Sequence, residues 1–202
     1  MRKSGSLCMM QPDFILSLAL GLGLATAVGF RVFLPLFILG IAVHTGVVPA
    51  TAGFEWVGST PALLMFAVAA VTEIIAYYVP LLDNALDGVA APIAIAAGIG
   101  VTALALGDAP PMLKWALAII AGGGAAAATH SATSALRGVS TAVTAGVGNH
   151  AIATSEIVAA IGLSLLTLIL PFVALIVALI IVFFTARRWW RMRFVAVSKH
   201  VS

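Results

Sequence analysis

The sequence predicts an all-α fold: a polytopic transmembrane helix bundle of six spans, in two inverted three-helix halves with broken helices. Three observations predict it. Hydrophobic residues make up 62% of the 202 residues and charged residues 8%, with a mean hydropathy of +1.18. A soluble domain carries about 25% charged and about 45–50% apolar residues. The cations stand at the two ends: between Lys3 and Arg187 the only ones are Arg31, Lys114 and Arg137. The apolar residues fall into runs that match the roughly 20 residues needed to cross a bilayer. This pattern excludes a soluble globular protein, a disordered chain and a nucleic-acid-binding module.

The elements follow in order. Residues 1–12 form a tail, 13–186 a single integral-membrane domain with halves about 13–106 and 112–186, and 187–202 a basic tail. Phe14 to Ala42 is the first span, interrupted by Gly29, Arg31 and Pro35. His44 to Thr60 is a mixed loop, and Pro61 to Val79 the second span. Pro80 to Ala91 is a short amphipathic helix, and Pro92 to Leu106 a short third span. Gly107-Asp108-Ala109-Pro110-Pro111 is a turn. Met112 to Ala128 is the fourth span and runs into a polar stretch ending near Asn149. Ala151 to Phe184 is apolar almost throughout. As one helix it is about 50 Å long, against a bilayer core of about 30 Å, so it reads as two spans hinged at Pro171.

Basic flanks face the cytoplasm. Arg2 and Lys3 at one end, and Arg187, Arg188, Arg191, Arg193 and Lys199 at the other, place both termini in the cytoplasm and the protein in the inner (plasma) membrane. Trp189 and Trp190 beside these arginines fit an interfacial anchor. Cys8 is the sole cysteine, so the chain holds no internal disulfide.

A short internal match supports the two halves. Thr72-Glu73-Ile74-Ile75-Ala76 parallels Ser155-Glu156-Ile157-Val158-Ala159. Each copy precedes a proline, Pro92 or Pro171, and follows a segment with a mid-chain arginine, Arg31 or Arg137. Three-span units related by inversion are common in small transporters. Gly21, Ala25 and Gly29, and also Gly122 and Ala126, recur every four residues, the spacing of faces that let helix backbones approach closely.

The residues that can carry chemistry cluster late in the chain. His130, Thr133, Ser134, Arg137, Ser140, Thr141 and Thr144 recur every three or four residues, hence on one helix face. A polar stripe of this length is expensive against lipid. It faces either neighbouring helices, as hydrogen-bonding glue, or a polar cavity; the arginine favours the cavity. An unpaired cation at the membrane centre costs at least about 2.5–3.5 kcal/mol. Arg31 and Arg137 therefore need partners, and Glu73 and Glu156 are the deep acids available. Two structural ion pairs are one outcome. A site where arginines meet an anion and glutamates handle a proton is the other.

Asp83 and Asp87 share a face near the start of a short helix opened by Pro80. A capped interfacial helix explains them, and a cation site with His130 or His150 is the alternative. No metal or cofactor is expected, since no zinc, P-loop, dinucleotide or nucleophile-elbow motif is present. Ser134 and His130 share a face without the other parts of a catalytic triad.

With these stretches in hand, the chain resembles the integral-membrane family called domain of unknown function 4126. The resemblance rests on Gly29-Phe30-Arg31, on Pro80-Leu81-Leu82-Asp83-Asn84-Ala85-Leu86-Asp87, on His130 with Arg137, on Thr144-Ala145-Gly146-Val147-Gly148-Asn149 and on Glu156. It covers roughly residues 13–185. The chain departs from the pattern at His150, where proline is expected, and at Tyr77-Tyr78, where an aspartate-lysine pair is expected. The resemblance implies the membrane fold and attaches no activity.

The functional expectation is a small transporter or flippase-like protein with a polar, arginine-containing cleft between its halves. Its candidate residues are Arg31, Glu73, Asp83, Asp87, His130, Ser134, Arg137, Thr141, Thr144, Asn149 and Glu156. The rivals are a non-catalytic membrane scaffold and, less favoured, an intramembrane lipid-phosphate enzyme. The expected partners are the bilayer and an anionic or lipid-linked small molecule, with no nucleic acid; self-association is a further option.

Overall fold

The structure is a computed structural model that describes residues 12–49, 51–107 and 109–198, apart from the side chains of 12, 80–87 and 188–198. It is helical, with no strand among the described residues. Five helical stretches are long and apolar enough to cross a membrane: Asp13–Phe30, Thr60–Tyr77, Gly88–Ala105, Pro111–Thr144 and Asn149–Ile169. Two shorter apolar helices, Phe33–His44 and Pro171–Arg187, complete the set.

Helix α1 (Pro12–Phe30) breaks at Arg31 and Val32, and α2 (Phe33–His44) follows. Pro35 is the cause. Its ring collides with the carbonyl four residues back, that of Arg31, and it has no N–H to donate there. A helix restarted at Phe33 puts Pro35 in the first turn, where no N–H is required. The break reverses the chain. Val47, Val48 and Thr51, just past α2, line the same cavity as Asp13 and Leu16 at the start of α1. Phe14 to Ala42 is thus not one span but a hairpin of two helices.

Helix α3 (Thr60–Tyr77) starts at this same end, capped by Ser59 Oγ, which accepts from the N–H of Ala62 at 3.4 Å. It runs to the level of Arg31. Helix α4 (Pro80–Ala105) returns as one helix with Pro92 inside it. The expected boundary at Pro92 is absent. Pro92 is on the exposed surface, and Gly88, whose carbonyl loses its partner, has open space around its Cα. Membrane helices tolerate interior prolines when the freed backbone group is re-satisfied.

Helix α5 (Pro111–Leu117), a π-helical stretch (Ala118–Gly123) and α6 (Gly124–Thr144) form one continuous rod. At the π-helical stretch Gly122 lies against α4: a Cβ there would come within 2.7 Å of the Gly98 carbonyl oxygen. Helices α7 (Asn149–Ile169) and α8 (Pro171–Ser198) meet at Leu170, as Pro171 predicts. The core centres on α1, which packs against α4, α6, α7 and α8. Its glycines make the close contacts, Gly21 against Thr102, Gly23 against Thr167 and Gly29 against Thr129.

Asp13 and Pro171 line one cavity, so α1 and α8 both start at that end. The shared packing of Phe30 and Ile181 around Ala27 and Ala174 shows that the two run in the same direction. The first residues of α1 and the last of α8 therefore lie at opposite ends of the bundle.

Candidate functional site

The arginines converge from different helices. Arg31 lies in the α1–α2 break, and Arg137 projects from α6 two turns beyond His130. Both are almost completely buried, at 1% and 2% exposure. They share one carboxylate. Arg31 Nη2 stands 2.9 Å and Arg137 Nη1 2.6 Å from Glu156 Oε2 on α7. Arg31 Nη2 also donates to the Ala153 carbonyl one turn earlier, at 3.4 Å.

Tyr77, at the end of α3, completes the cluster. Its ring centroid is 3.8 Å from Arg31 Cζ and 4.5 Å from Arg137 Cζ. A desolvated guanidinium on an aromatic ring gains about 2 kcal/mol or more. The ring thus replaces part of the hydration both cations lose on burial. Tyr77 did not stand out in the sequence, where it marked only a departure from a family pattern.

Glu73 has a different role from the one expected. Its Oε1 accepts the N–H of Val32 at 2.8 Å and its Oε2 the N–H of Phe33 at 3.0 Å. It caps α2 from a neighbouring helix, using the orphan donors and positive dipole of a helix start. The picture of two arginine–glutamate pairs is corrected to one carboxylate under two arginines and one on a helix terminus. The physical reason is the Pro35 break, whose bare N–H groups at membrane depth need an acceptor as much as the arginines do.

The stripe on α6 divides. Thr129, His130, Thr133 and Arg137 face the interior. Ser134 is half-buried with Oγ 3.4 Å from His130 Nε2, long for a hydrogen bond. Thr141 is half-buried and accepts from Asn149 Nδ2 at 2.9 Å, tying α6 to the start of α7. Thr144 does not face inward; it is exposed. Its hydroxyl donates to the Ser140 carbonyl at 2.7 Å and accepts from the N–H of Gly148 at 2.9 Å, closing the end of α6. The turn there passes through Ala145 (φ 51°) and Gly146 (φ 89°), both left-handed, which ends the helix before the stripe can continue inward.

Arg31, Arg137, Glu156 and Glu73 are therefore brought to one region, with His130 on the same buried face of α6. The side chains of Asp83 and Asp87 lie outside the described residues, so the reading of that pair goes no further. Among the described residues no three His, Cys, Asp or Glu side chains come together as a metal site would require.

Comparison with known proteins adds one match. No curated protein and no solved structure matches this chain. The family model of domain of unknown function 4126 matches residues 18–191, a stretch that holds the Arg31–Tyr77–Arg137–Glu156 cluster and all the helices except the start of α1 and the end of α8, and the chain belongs to that family.

Proposed function

We propose that this protein moves a small or lipid-linked anion across the membrane, with Arg31 and Arg137 as the anion-holding groups and Glu156 as the internal carboxylate that occupies them in the closed form. One observation carries this reading. The Arg31 side chain is 0% exposed, yet its Nε and Nη1 have no hydrogen-bond partner among the described residues. A guanidinium offers five donors in a planar fork suited to carboxylate or phosphate. A purely structural arginine would spend more of them at this depth.

The surroundings support the same assignment. Near Arg31 and Arg137, Glu156 answers two cations, and the charge of Glu73 lies against the positive start of α2. The two matched pentapeptides lie on α3 and α7, whose opposite directions suit inverted halves meeting at this point. In the sequence, five cations follow residue 186, after the stretch of α8 near the Arg31 end, against Arg2 and Lys3 before α1 and Lys114 on α5. That bias assigns the Arg31 end, and the cluster with it, to the cytoplasmic side.

The test is reconstitution into phospholipid vesicles. Transbilayer movement of fluorescent phosphatidylglycerol and uptake of inorganic phosphate are measured for the parent protein and for Arg31→Met. Movement of either anion above protein-free vesicles, lost in Arg31→Met, supports transport. Movement of neither removes it.

A membrane scaffold is the second reading. What favours it is the seal over both arginines: the cluster ties the α1–α2 break, α3, α6 and α7 together without reaching a surface in this conformation.

A further inference from the structure

An apolar groove of about 270 Å³ opens on the outside of the bundle between α3, α4 and the start of α2. Its walls include Phe33, Ala76, Val89 and Ile93, and its buried polar residues are Glu73 and Tyr77. Its exposed lining is mostly apolar: Val89 is 58% exposed, and the one exposed hydroxyl, that of Thr72, is spent on the Val68 carbonyl at 2.8 Å; both residues stand on helices of membrane-spanning length. The groove opens outward between α3 and α4, both of membrane-spanning length, the side that meets lipid in a bilayer-embedded chain. The Tyr77 ring at its inner side is the ring whose centroid lies 3.8 Å from Arg31 Cζ. One phenol thus separates this groove from a buried guanidinium whose Nε and Nη1 have no hydrogen-bond partner among the described residues.

We infer that the groove is a lateral portal that takes an acyl chain of an anionic glycerophospholipid, whose headgroup reaches Arg31 and Arg137 when Tyr77 turns aside. This rests on the anion-carrier reading and narrows its substrate to a lipid that enters from the bilayer. Charge complementarity selects the headgroup. Both Glu73 oxygens are held by the N–H groups of Val32 and Phe33, so the acid in the groove is already offset by a helix terminus. The cations behind Tyr77 share a single carboxylate oxygen. The apolar walls select the chain.

The experiment uses the full chain in lipid nanodiscs containing phosphatidylglycerol with a photoactivatable diazirine in its acyl chain, followed by peptide mapping. Labelling at Ala76, Val89 and Ile93 should exceed that at the outward-facing Leu64 and Val68 by about tenfold, the ratio for a preference of ~1.4 kcal/mol over bulk lipid. The phosphatidylcholine analogue with the same chain should lose that excess. Ala76→Trp, or Val89→Trp if the first does not fold, should remove it as well.

Uniform labelling across α3 and α4, equal labelling by the two lipids, or a protein–protein cross-link filling the groove would each overturn the portal. The two proposals separate cleanly. Groove labelling without transbilayer movement keeps the portal and removes transport. Movement that is lost in Arg31→Met, with uniform labelling and no effect of either tryptophan, keeps transport and removes the portal.

Discussion

Arg31 and Arg137 form ion pairs with the same oxygen, Glu156 Oε2, from opposite regions of the sequence. One carboxylate therefore holds the α1–α2 break and α6 against α7. The cost of removing a member of this group depends on which member it is. Loss of either arginine leaves a one-to-one ion pair. Loss of the glutamate leaves two buried guanidiniums beside one tyrosine ring with no shared carboxylate.

Glu156→Gln should consequently be the most damaging single change in the cluster. Stranding one buried partner typically costs about 3–5 kcal/mol, and here two are stranded. Arg31→Met and Arg137→Met should each cost less. Thermal unfolding in detergent, read by loss of the monodisperse peak, gives the order. An arginine variant less stable than Glu156→Gln would mean that Glu156 is not the common anchor.

Glu73→Ala should act locally. It removes the acceptor for two N–H groups at the start of α2, and losing a helix N-cap costs about 0.5–2 kcal/mol. Hydrogen exchange at Val32 and Phe33 should speed up while exchange in α7 stays unchanged. Glu73→Gln keeps one acceptor oxygen and should fall between. Equal acceleration throughout the bundle would show that Glu73 supports the whole fold rather than this terminus.

Much of this was legible in the residues. The hinge at Pro171, the burial of both mid-chain arginines and the inward face of α6 follow from proline chemistry, insertion cost and helical spacing. The partner assignment did not follow, because two arginines and two glutamates in parallel positions suggest two pairs. Nothing in local sequence reveals that Pro35 exposes N–H groups that claim Glu73. Pro92 misled in the opposite sense: a proline ends a helix when its lost bond is buried, and here it faces outward beside the open space around Gly88. Tyr77 went unnoticed because an aromatic among apolar residues carries no spacing signal; its role exists only once Arg31 and Arg137 converge on it.

Two glycine substitutions should have opposite outcomes. A Cβ on Gly29 would lie 2.5 Å from Thr129 Cβ and 2.7 Å from the Ala126 carbonyl oxygen, and backbone cannot yield cheaply. Gly29→Ala should destabilise by about 1–3 kcal/mol, as overpacking does. Gly162 has nothing within 4 Å of its Cβ position, so Gly162→Ala should be neutral or stabilise by up to about 1 kcal/mol through helix propensity. Unfolding midpoints of the two variants test this. Similar midpoints would place the α1–α6 contact further apart than the structure has it.

The hairpin of α1 and α2 fixes the topology. Asp13, Val47, Thr51 and Pro171 surround one cavity, and Thr51 Oγ1 donates to the Leu104 carbonyl at 2.9 Å. The start of α1, the loop after α2, the end of α4 and the start of α8 therefore share one end of the bundle. The end of α3, the turn at Ala145 and the end of α8 share the other: Tyr78 Oη and Thr154 Oγ1, 2.8 Å apart, tie α3 and α7 together there. Reporters fused ahead of Pro12 and inserted after Gly53 should report the same side, and one after Ser198 the opposite side. On the positive-inside bias, the Ser198 reporter is expected on the cytoplasmic side. A reporter ahead of Pro12 on the Ser198 side, with the Gly53 reporter opposite, would mean that α1 and α2 cross as a single span. Pro35 would then bend that span without reversing it, and Glu73 would have no helix start to cap.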